Sequence, residues 1–326
     1  MTVSWLIPVR NGRRWLGPCL ESVLAECGEH DEVVVVDDGS TDSPREVCPD
    51  DSRISWLAQP PLGIVAALEH GRRACRHPLI ARLDADDVAL PGRIAAQTLI
   101  MQADSQLAVV GGMAEMVRED EGANDGMKAY VEWVNTLRDH RAALLVESPV
   151  FHPAVLMRAD AVEAVGGYRH GDFPEDYDLW LRLAGAGYGI ASVGVPVVRI
   201  RDRASRLTRS DTRYRREAFE HLKREWLKAH VLDRGSKIAL WGAGKTGKRW
   251  LRWLLRSGFR VPAVIDGFGA RQRQGVPVVA PSQLSEIDVD MLLVAVGARG
   301  ARETIRGAIE ASRPTWREGR DWWCLA

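Results

Sequence analysis

A chain of 326 residues is longer than one small core organises, so one large domain or two domains is the starting expectation. Lys plus Arg and Asp plus Glu number 44 each, which excludes a global field that would recruit nucleic acid or anionic lipid. Five cysteines without a CxxC pairing, Cys19, Cys27, Cys48, Cys75 and Cys324, argue for free thiols in a reducing compartment and against a disulfide framework or zinc site.

The chain enters at once into Val3–Val9, which reads as a strand and lacks the basic and apolar regions of a signal peptide. No apolar run approaches the ~18–20 residues that span a bilayer, so the expectation is a cytoplasmic protein, with peripheral attachment at the inner face of the membrane left open. Glu32–Val36, Ile54–Ala58, Leu79–Leu83 and Ala108–Val117 also read as strands. Between them Arg13–Glu26, Gly63–Arg76 and Pro91–Ala103 carry helical spacing, with Pro91 suited to a first helical turn. This alternation predicts a mostly parallel sheet covered on both faces, with ligands beyond the carboxyl ends of its strands. Further on, His152–Arg158 reads as a strand, Glu175–Ala186 as a helix and Gly189–Ile200 as a strand. A long charged helix over Thr212–Leu232 leads to a break at Asp233–Ser236, where a second βαβ pattern begins. Domains are therefore expected at 1–232 and 233–326.

Asp84, Asp86 and Asp87 crowd three carboxylates into four residues just after a strand. Their repulsion is costly unless solvent or a cation relieves it, and Mg²⁺ or Mn²⁺ takes oxygen ligands of this kind. Alone, such a cluster also reads as a solvated turn. Its neighbours form an ordered series: Pro8-Val9-Arg10-Asn11-Gly12, then Asp37-Asp38-Gly39-Ser40-Thr41-Asp42, then Ala81-Arg82-Leu83-Asp84-Ala85-Asp86-Asp87. Later come His152-Pro153-Ala154-Val155, Gly166-Gly167-Tyr168 and Glu175-Asp176-Tyr177-Asp178-Leu179-Trp180-Leu181-Arg182.

On these residues the sequence resembles the family 2 glycosyltransferases over about two-thirds of its length. The resemblance implies a GT-A-type α/β domain and a hexosyltransferase-type enzyme using a nucleotide-sugar donor and a divalent metal, Mg²⁺ or Mn²⁺. It places Pro8, Val9 and Asp38 in the nucleoside pocket, Asp38 accepting a hydrogen bond from the base, with Gly63 completing the donor site. Asp84 would face the donor sugar or ribose and share the metal side, Asp86 would ligate the metal directly, and Asp87 would hold the loop or coordinate through water. Asp176 would be the general base of an inverting reaction, with Glu175 as the alternative, although a helix N-terminus favours an ionised carboxylate there. The bland reading of both acids is helix-start charge complementarity. Arg82 reads equally as a donor-phosphate contact or as a salt bridge, and His152 as an acceptor-side residue or a structural histidine. Asp178 and Arg182, four apart, suggest a helix-surface pair. The chain departs from the common pattern at Gly12, where many members carry an acid, and in Gly63–Gly71, which lacks an Arg-Asn pair.

The arginine run Arg199–Arg216 suits a lid over a diphosphate, a dock for an anionic lipid-linked acceptor, or a solvated segment. Beyond it, Ile238–Trp241 runs into Gly242-Ala243-Gly244-Lys245-Thr246-Gly247, a strand followed by a GxGxxG turn and a helix. A second strand ends at Asp266, about where a ribose-binding carboxylate belongs. Leu292–Val296 and the glycines Gly297 and Gly300 lead to another helix. The region resembles compact Rossmann-like modules appended to sugar-modifying enzymes, and Gly242, Gly244, Gly247 and Asp266 form a possible second nucleotide site. A structural or dimerising role is the alternative. Trp316, Trp322 and Trp323 in the tail are expected to close this domain's core.

The leading expectation is an inverting transferase acting on a saccharide or lipid-linked saccharide in bacterial surface-polysaccharide or glycoconjugate synthesis, with no nucleic-acid partner and the oligomeric state open. The alternatives are an NAD-linked sugar-modifying oxidoreductase and a non-catalytic nucleotide-sugar sensor.

Overall fold

A computed structural model describes residues 1–119, 125–204, 206–267, 271–298 and 300–326. The chain divides into two compact units, Met1–His140 with Ser148–Leu222, and Arg141–Glu147 with Lys223–Ala326.

The first unit opens with β1 (Val3–Val9), α1 (Arg13–Glu26), β2 (Glu32–Asp38), β3 (Ile54–Gln59), α2 (Ile64–Ala74) and β4 (Leu79–Arg82). Next come β5 (Val88–Ala89), α3 (Arg93–Ala103), β6 (Leu107–Arg118) and α4 (Asp125–Thr136). After α5 (His140–Ala143) the unit resumes with β7 (Leu156–Arg158), α6 (Ala159–Ala164), α7 (Glu175–Gly185), β8 (Gly189–Asp202) and α8 (Leu207–Ser210). Helices α5 and α9 (Arg216–His230) straddle the divisions between the units.

Its sheet runs β3-β2-β1-β4-β7-β6-β8-β5. β3, β2, β1 and β4 are mutually parallel, β7 is antiparallel to β4 and β6, and β8 returns parallel to β6. The result is a mixed, mostly parallel α/β sheet. Every residue of β1 is buried, because a sheet covered on both faces favours an apolar run over an alternating one. Helix α1 contributes Leu16, Cys19, Leu20 and Val23, an i, i+3, i+4, i+7 stripe, to that core. The parallel half brings the carboxyl ends of β1, β2 and β4 to one edge.

Three local expectations need correction. Pro91 lies outside its helix, because Gly92 takes a left-handed φ of 81° as the N-cap and α3 begins at Arg93. His152–Arg158 is not one strand: Pro153, which cannot donate a ladder bond, sits in a 3-10 turn over His152–Ala154, and pairing waits for β7. The long charged helix is split, with a 3-10 turn over Thr212–Tyr214 capped by Asp211 and Arg215 in an extended conformation before α9.

The second unit holds β9 (Ile238–Trp241), α10 (Lys245–Arg256), β10 (Val264–Ile265), β11 (Gln272–Arg273), β12 (Val276–Val279), β13 (Met291–Val294), α11 (Ala301–Ser312) and β14 (Trp322–Cys324). Its smaller sheet runs β11-β12-β10-β9-β13-β14, parallel except for the β11–β12 hairpin. A Cβ on Gly247 would sit 1.7 Å from the Gly242 carbonyl oxygen, so only glycine lets α10 begin this close to the turn after β9. Trp322 and Trp323 are buried as the edge strand β14, paired with Leu292 and Leu293, and Trp323 packs edge-on against Trp226. Trp316 stays partly exposed under Arg313.

Candidate active site

The loop after β1 is tied to the loop after β2. Asn11, at a φ of 52°, accepts from the Thr41 N–H at 2.8 Å and the Thr41 hydroxyl at 3.2 Å, while its own N–H donates to Ser40. Gly39 takes a φ of 69°, with a would-be Cβ only 2.7 Å from Pro61. Both the backbone angle and the close contact demand glycine. Asp38, buried at the end of β2, accepts from Gln59 Nε2 (2.8 Å), the Leu62 N–H (2.8 Å) and the Gly63 N–H (2.9 Å). It therefore pins the chain segment that leads into α2.

The acidic cluster follows β4. Its three carboxylates each place an oxygen within 4.8 Å of the others, a hard-donor set that fits Mg²⁺ or Mn²⁺. Arg82, buried beneath it, meets Asp84 Oδ1 at 2.6 Å. Burial pushes the Asp84 carboxyl up, but Arg82 more than offsets this and leaves it below its ordinary range. Asp86 is raised by burial and by the Asp84 charge beside it. It meets Arg203 at 2.7 Å, and the Arg203 guanidinium lies 4.2 Å over the Trp15 ring. Asp87 is raised well above the carboxylate range by burial and its two acidic neighbours; one oxygen accepts from the Arg201 N–H and the other, fully buried, has no hydrogen-bond partner among the described residues.

A cavity of about 470 Å³ gathers these pieces. Pro8, Val9, Asp38, Gly63, Asp84 and Asp86 line it together, with Asn11 and Trp15 beside them and Arg203, Leu207, Asp211 and Arg213 contributed from beyond β8. Arg82, Asp87, His152, Glu175 and Asp176 are not on its wall.

Helix α7 begins after Pro174, and its first turn carries Glu175, Asp176 and Asp178. Glu175 is buried and accepts from the Tyr214 hydroxyl through both oxygens, at 3.0 and 2.9 Å, with Arg213 3.7 Å away. Asp176 accepts only a local N–H, that of Tyr177, at 2.7 Å among the described contacts. Its carboxyl is pushed up to about 7 by burial and by the Glu175 charge, against the pull of Arg82. Burial and repulsion thus outweigh the helix N-terminus that favours the ionised form. Asp178 and Arg182 do pair, at 2.8 Å, but in the interior: Arg169 joins them, and Arg182 also holds the Val165 and Gly167 carbonyls. The four-residue spacing did not reveal that most of this helix, Glu175, Tyr177–Leu181 and Leu183, is buried. His152 is buried, 2.8 Å from the Tyr168 hydroxyl and edge-on to Trp180; burial, aided by Arg82, holds it well below its usual pKa and hence neutral.

Residues 4–166 match the sequence profile described as Glycosyl transferase family 2. This chain belongs to that family. Among its relatives, the amylovoran biosynthesis glycosyltransferase AmsE of Erwinia amylovora is 31% identical over 215 residues, 64% of this chain and 77% of its own length. The Escherichia coli UDP-Gal:alpha-D-GlcNAc-diphosphoundecaprenol beta-1,3-galactosyltransferase is 27% identical over 191 residues, 57% of this chain and 68% of its own. Staphylococcus aureus TarS 1–349, solved with UDP-GlcNAc, superposes with a TM-score of 0.53 at 14% identity, covering 72% of this chain and 68% of that one. The mannosyltransferase PcManGT of Pyrobaculum calidifontis, solved with GDP-Man and Mn²⁺, gives 0.50 at 17% identity, covering 62% and 57%. The two structures establish the shared GT-A-like fold, and the family match makes the protein a nucleotide-sugar glycosyltransferase. That sets aside the oxidoreductase alternative for the chain as a whole.

Two residues of this family 2 site escaped the sequence reading. Trp15 reads as an ordinary position of α1 and Tyr214 as part of a charged helix; Trp15 depends on Glu119, 104 residues on, and on Arg203, and Tyr214 on Glu175, 39 residues back. The residues Gly242, Gly244, Gly247 and Asp266 lie in the second unit, where the Asp266 carboxylate accepts from the Ala243 N–H at 2.6 Å.

Proposed function

We propose that this family 2 enzyme is an inverting glycosyltransferase that moves a sugar from a nucleotide-diphosphate donor to a hydroxyl of a saccharide or lipid-linked saccharide in surface-polysaccharide synthesis. The observation that carries the reading is one cavity whose wall includes Pro8, Val9, Asp38 and Gly63 together with Asp84 and Asp86. Relatives named for amylovoran biosynthesis and for a diphosphoundecaprenol acceptor support the polymer and the lipid carrier. Fold neighbours solved with UDP-GlcNAc, and with GDP-Man and Mn²⁺, support the donor class and the metal.

In this reading Pro8, Val9 and Gly63 flank the nucleoside. Asp38 offers it an acceptor while continuing to hold the 62–63 segment. Asp86 and Asp84 would hold the metal, which would offset charge developing on the departing diphosphate. Arg82 keeps Asp84 ionised from below, and Arg203 and Arg213 offer forked donors to phosphate oxygens. Asp176 takes the proton from the acceptor hydroxyl as that oxygen bonds to the anomeric carbon and the carbon–oxygen bond to the diphosphate breaks on the opposite face. A carboxylate with a pKa near 7 is well matched to that proton. Glu175, with both oxygens occupied by Tyr214, is the poorer base. His152, neutral and buried against the Tyr168 hydroxyl, stands behind the acceptor side and not on the cavity wall.

Incubation with Mn²⁺ and a panel of nucleotide sugars tests this. Release of a nucleoside diphosphate, faster with a saccharide acceptor, is expected. Binding without release would favour a sensor, and the absence of binding to any donor would remove the reading.

For the rest of the chain, we infer a catalytic domain over 1–232 and a Rossmann-like module over 233–326. The parallel order β12-β10-β9-β13-β14, with its glycine turn after β9 and Asp266 after β10, supports a nucleotide site at Gly242, Gly244, Gly247 and Asp266. Tryptophan fluorescence titrated with NAD(H) and with UDP separates this from a structural role, in which neither titration changes the signal of the second unit.

A further inference from the structure

The chain as a whole is neutral, yet its charge is divided unevenly. Residues 223–326 carry 19 Lys and Arg against 10 Asp and Glu, leaving the excess acid on the first unit. Within that basic stretch the densest array is α10, Lys245-Thr-Gly-Lys-Arg-Trp-Leu-Arg-Trp-Leu-Leu-Arg256, which has no acidic residue.

Helix α10 is sharply two-sided. Gly247, Trp250, Leu251 and Leu254 are buried on one face. Lys245, Lys248, Arg252, Leu255 and Arg256 are exposed, and at 3.6 residues per turn they fall within a stripe roughly 100° wide. Lys245, Lys248, Arg252 and Arg256 make no ion pair among the described residues. Like charges four apart, such as Lys248 with Arg252 and Arg252 with Arg256, oppose helix formation slightly, and only Arg256, in the last turn, complements the helix dipole, so helix stability does not account for the stripe.

An anionic surface is the complement of such a face. Helix α10 itself offers no stacking platform for single-stranded nucleic acid among the described residues: Trp250 is fully buried, and Trp253 is flanked at 5.8 Å by both Arg224 and Lys228. What the stripe does offer is cations on long aliphatic stems around a solvent-facing leucine, Leu255, which suits the headgroup level of a bilayer. We propose that the exposed face of α10 docks this protein onto an anionic phospholipid bilayer, which would keep the enzyme where a lipid-linked acceptor is presented. The choice of a membrane leans on the lipid-carrier reading above, but the docking itself requires neither donor nor turnover.

The test is co-sedimentation of the full-length protein with vesicles of phosphatidylglycerol and phosphatidylcholine, against pure phosphatidylcholine, at low and high salt. Each cation near an anionic surface is worth roughly five-fold in partitioning, so R252Q/R256Q is expected to weaken binding about 25-fold while donor hydrolysis is unchanged. Binding confined to anionic vesicles, lost at high salt and weakened by this pair, supports the proposal. No binding to anionic vesicles, equal binding to neutral ones, or a variant that binds like wild type overturns it. So does an equal loss in R215Q/R216Q, which would move the dock to the arginine run, or a stronger effect of R252Q/R256Q on RNA binding or self-association than on vesicles. A protein that docks yet hydrolyses no donor would sink the catalytic reading alone.

Discussion

Asp176→Asn should make the protein more stable at the same time as it abolishes transfer, and the gain should depend on pH. The Asp176 carboxyl titrates at about 7 in the fold against about 3.8 when unperturbed, because it is buried beside Glu175. Below pH ~4 both states hold the proton and the site costs nothing. Between pH ~4 and ~7 the unfolded chain releases the proton while the fold retains it, so stability falls by about 1.4 kcal/mol per pH unit, and the loss is complete above 7. Asparagine is nearly isosteric, can still accept from the Tyr177 N–H, and does not titrate. From pH 5 to pH 8 the full shift corresponds to about 2.7 kcal/mol, which partial exposure and solvent relaxation reduce to about 1–2 kcal/mol. For a domain of this size that is a Tm advantage growing by about 2–8 °C over the interval. Calorimetry of both proteins at pH 5 and pH 8 measures it. An advantage that does not grow with pH, or that shrinks, would refute the burial-and-repulsion account of Asp176 and with it the case for this residue as the base.

Asp86→Asn should weaken Mn²⁺ binding at least ten-fold by isothermal titration, with the fold intact, because it removes one of the two half-buried carboxylates that face the cavity; unchanged affinity would move the metal elsewhere. Arg93→Met should cost about 4 kcal/mol or more in urea unfolding: the buried guanidinium holds the Arg82, Pro153 and Val155 carbonyls and lies over Trp5, and the thioether satisfies none of them. Gly247→Ala should disrupt the second unit while sparing the first, since the added Cβ falls 1.7 Å from the Gly242 oxygen. Limited proteolysis that cuts 223–326 and spares the rest is the expected pattern, and wild-type resistance would argue against the tight turn.

Much of the site was legible in the chain before any fold was built. Strand ends in a parallel α/β sheet collect on one edge by connectivity alone, so Pro8, Asp38 and Asp84 could be assigned to one face from the rhythm of apolar runs. The carboxylate spacing in Asp84–Asp87 is likewise local, and chemistry alone restricts what three crowded acids suit. Short pieces were less readable. The 3-10 turn at His152, the strand β14 of three residues and the break at Arg215 are too short for periodicity to register, and each is set by a proline, an edge pairing or a cap.

What only the tertiary structure decided is which acids are free to act. Glu175 and Asp176 are adjacent and chemically alike, and nothing in their order separates them. Tyr214, 39 residues on, occupies Glu175; burial without a comparable partner leaves Asp176 with the perturbed proton. In the same way Arg203 reaches Asp86 only because the strand β8 carries it back across the sheet, and the Asp178–Arg182 pair is interior only because Arg169 and the 165–167 turn cover it. Spacing along the chain determines which groups share an edge. Desolvation and long-range partners, which depend on three dimensions, determine their charge.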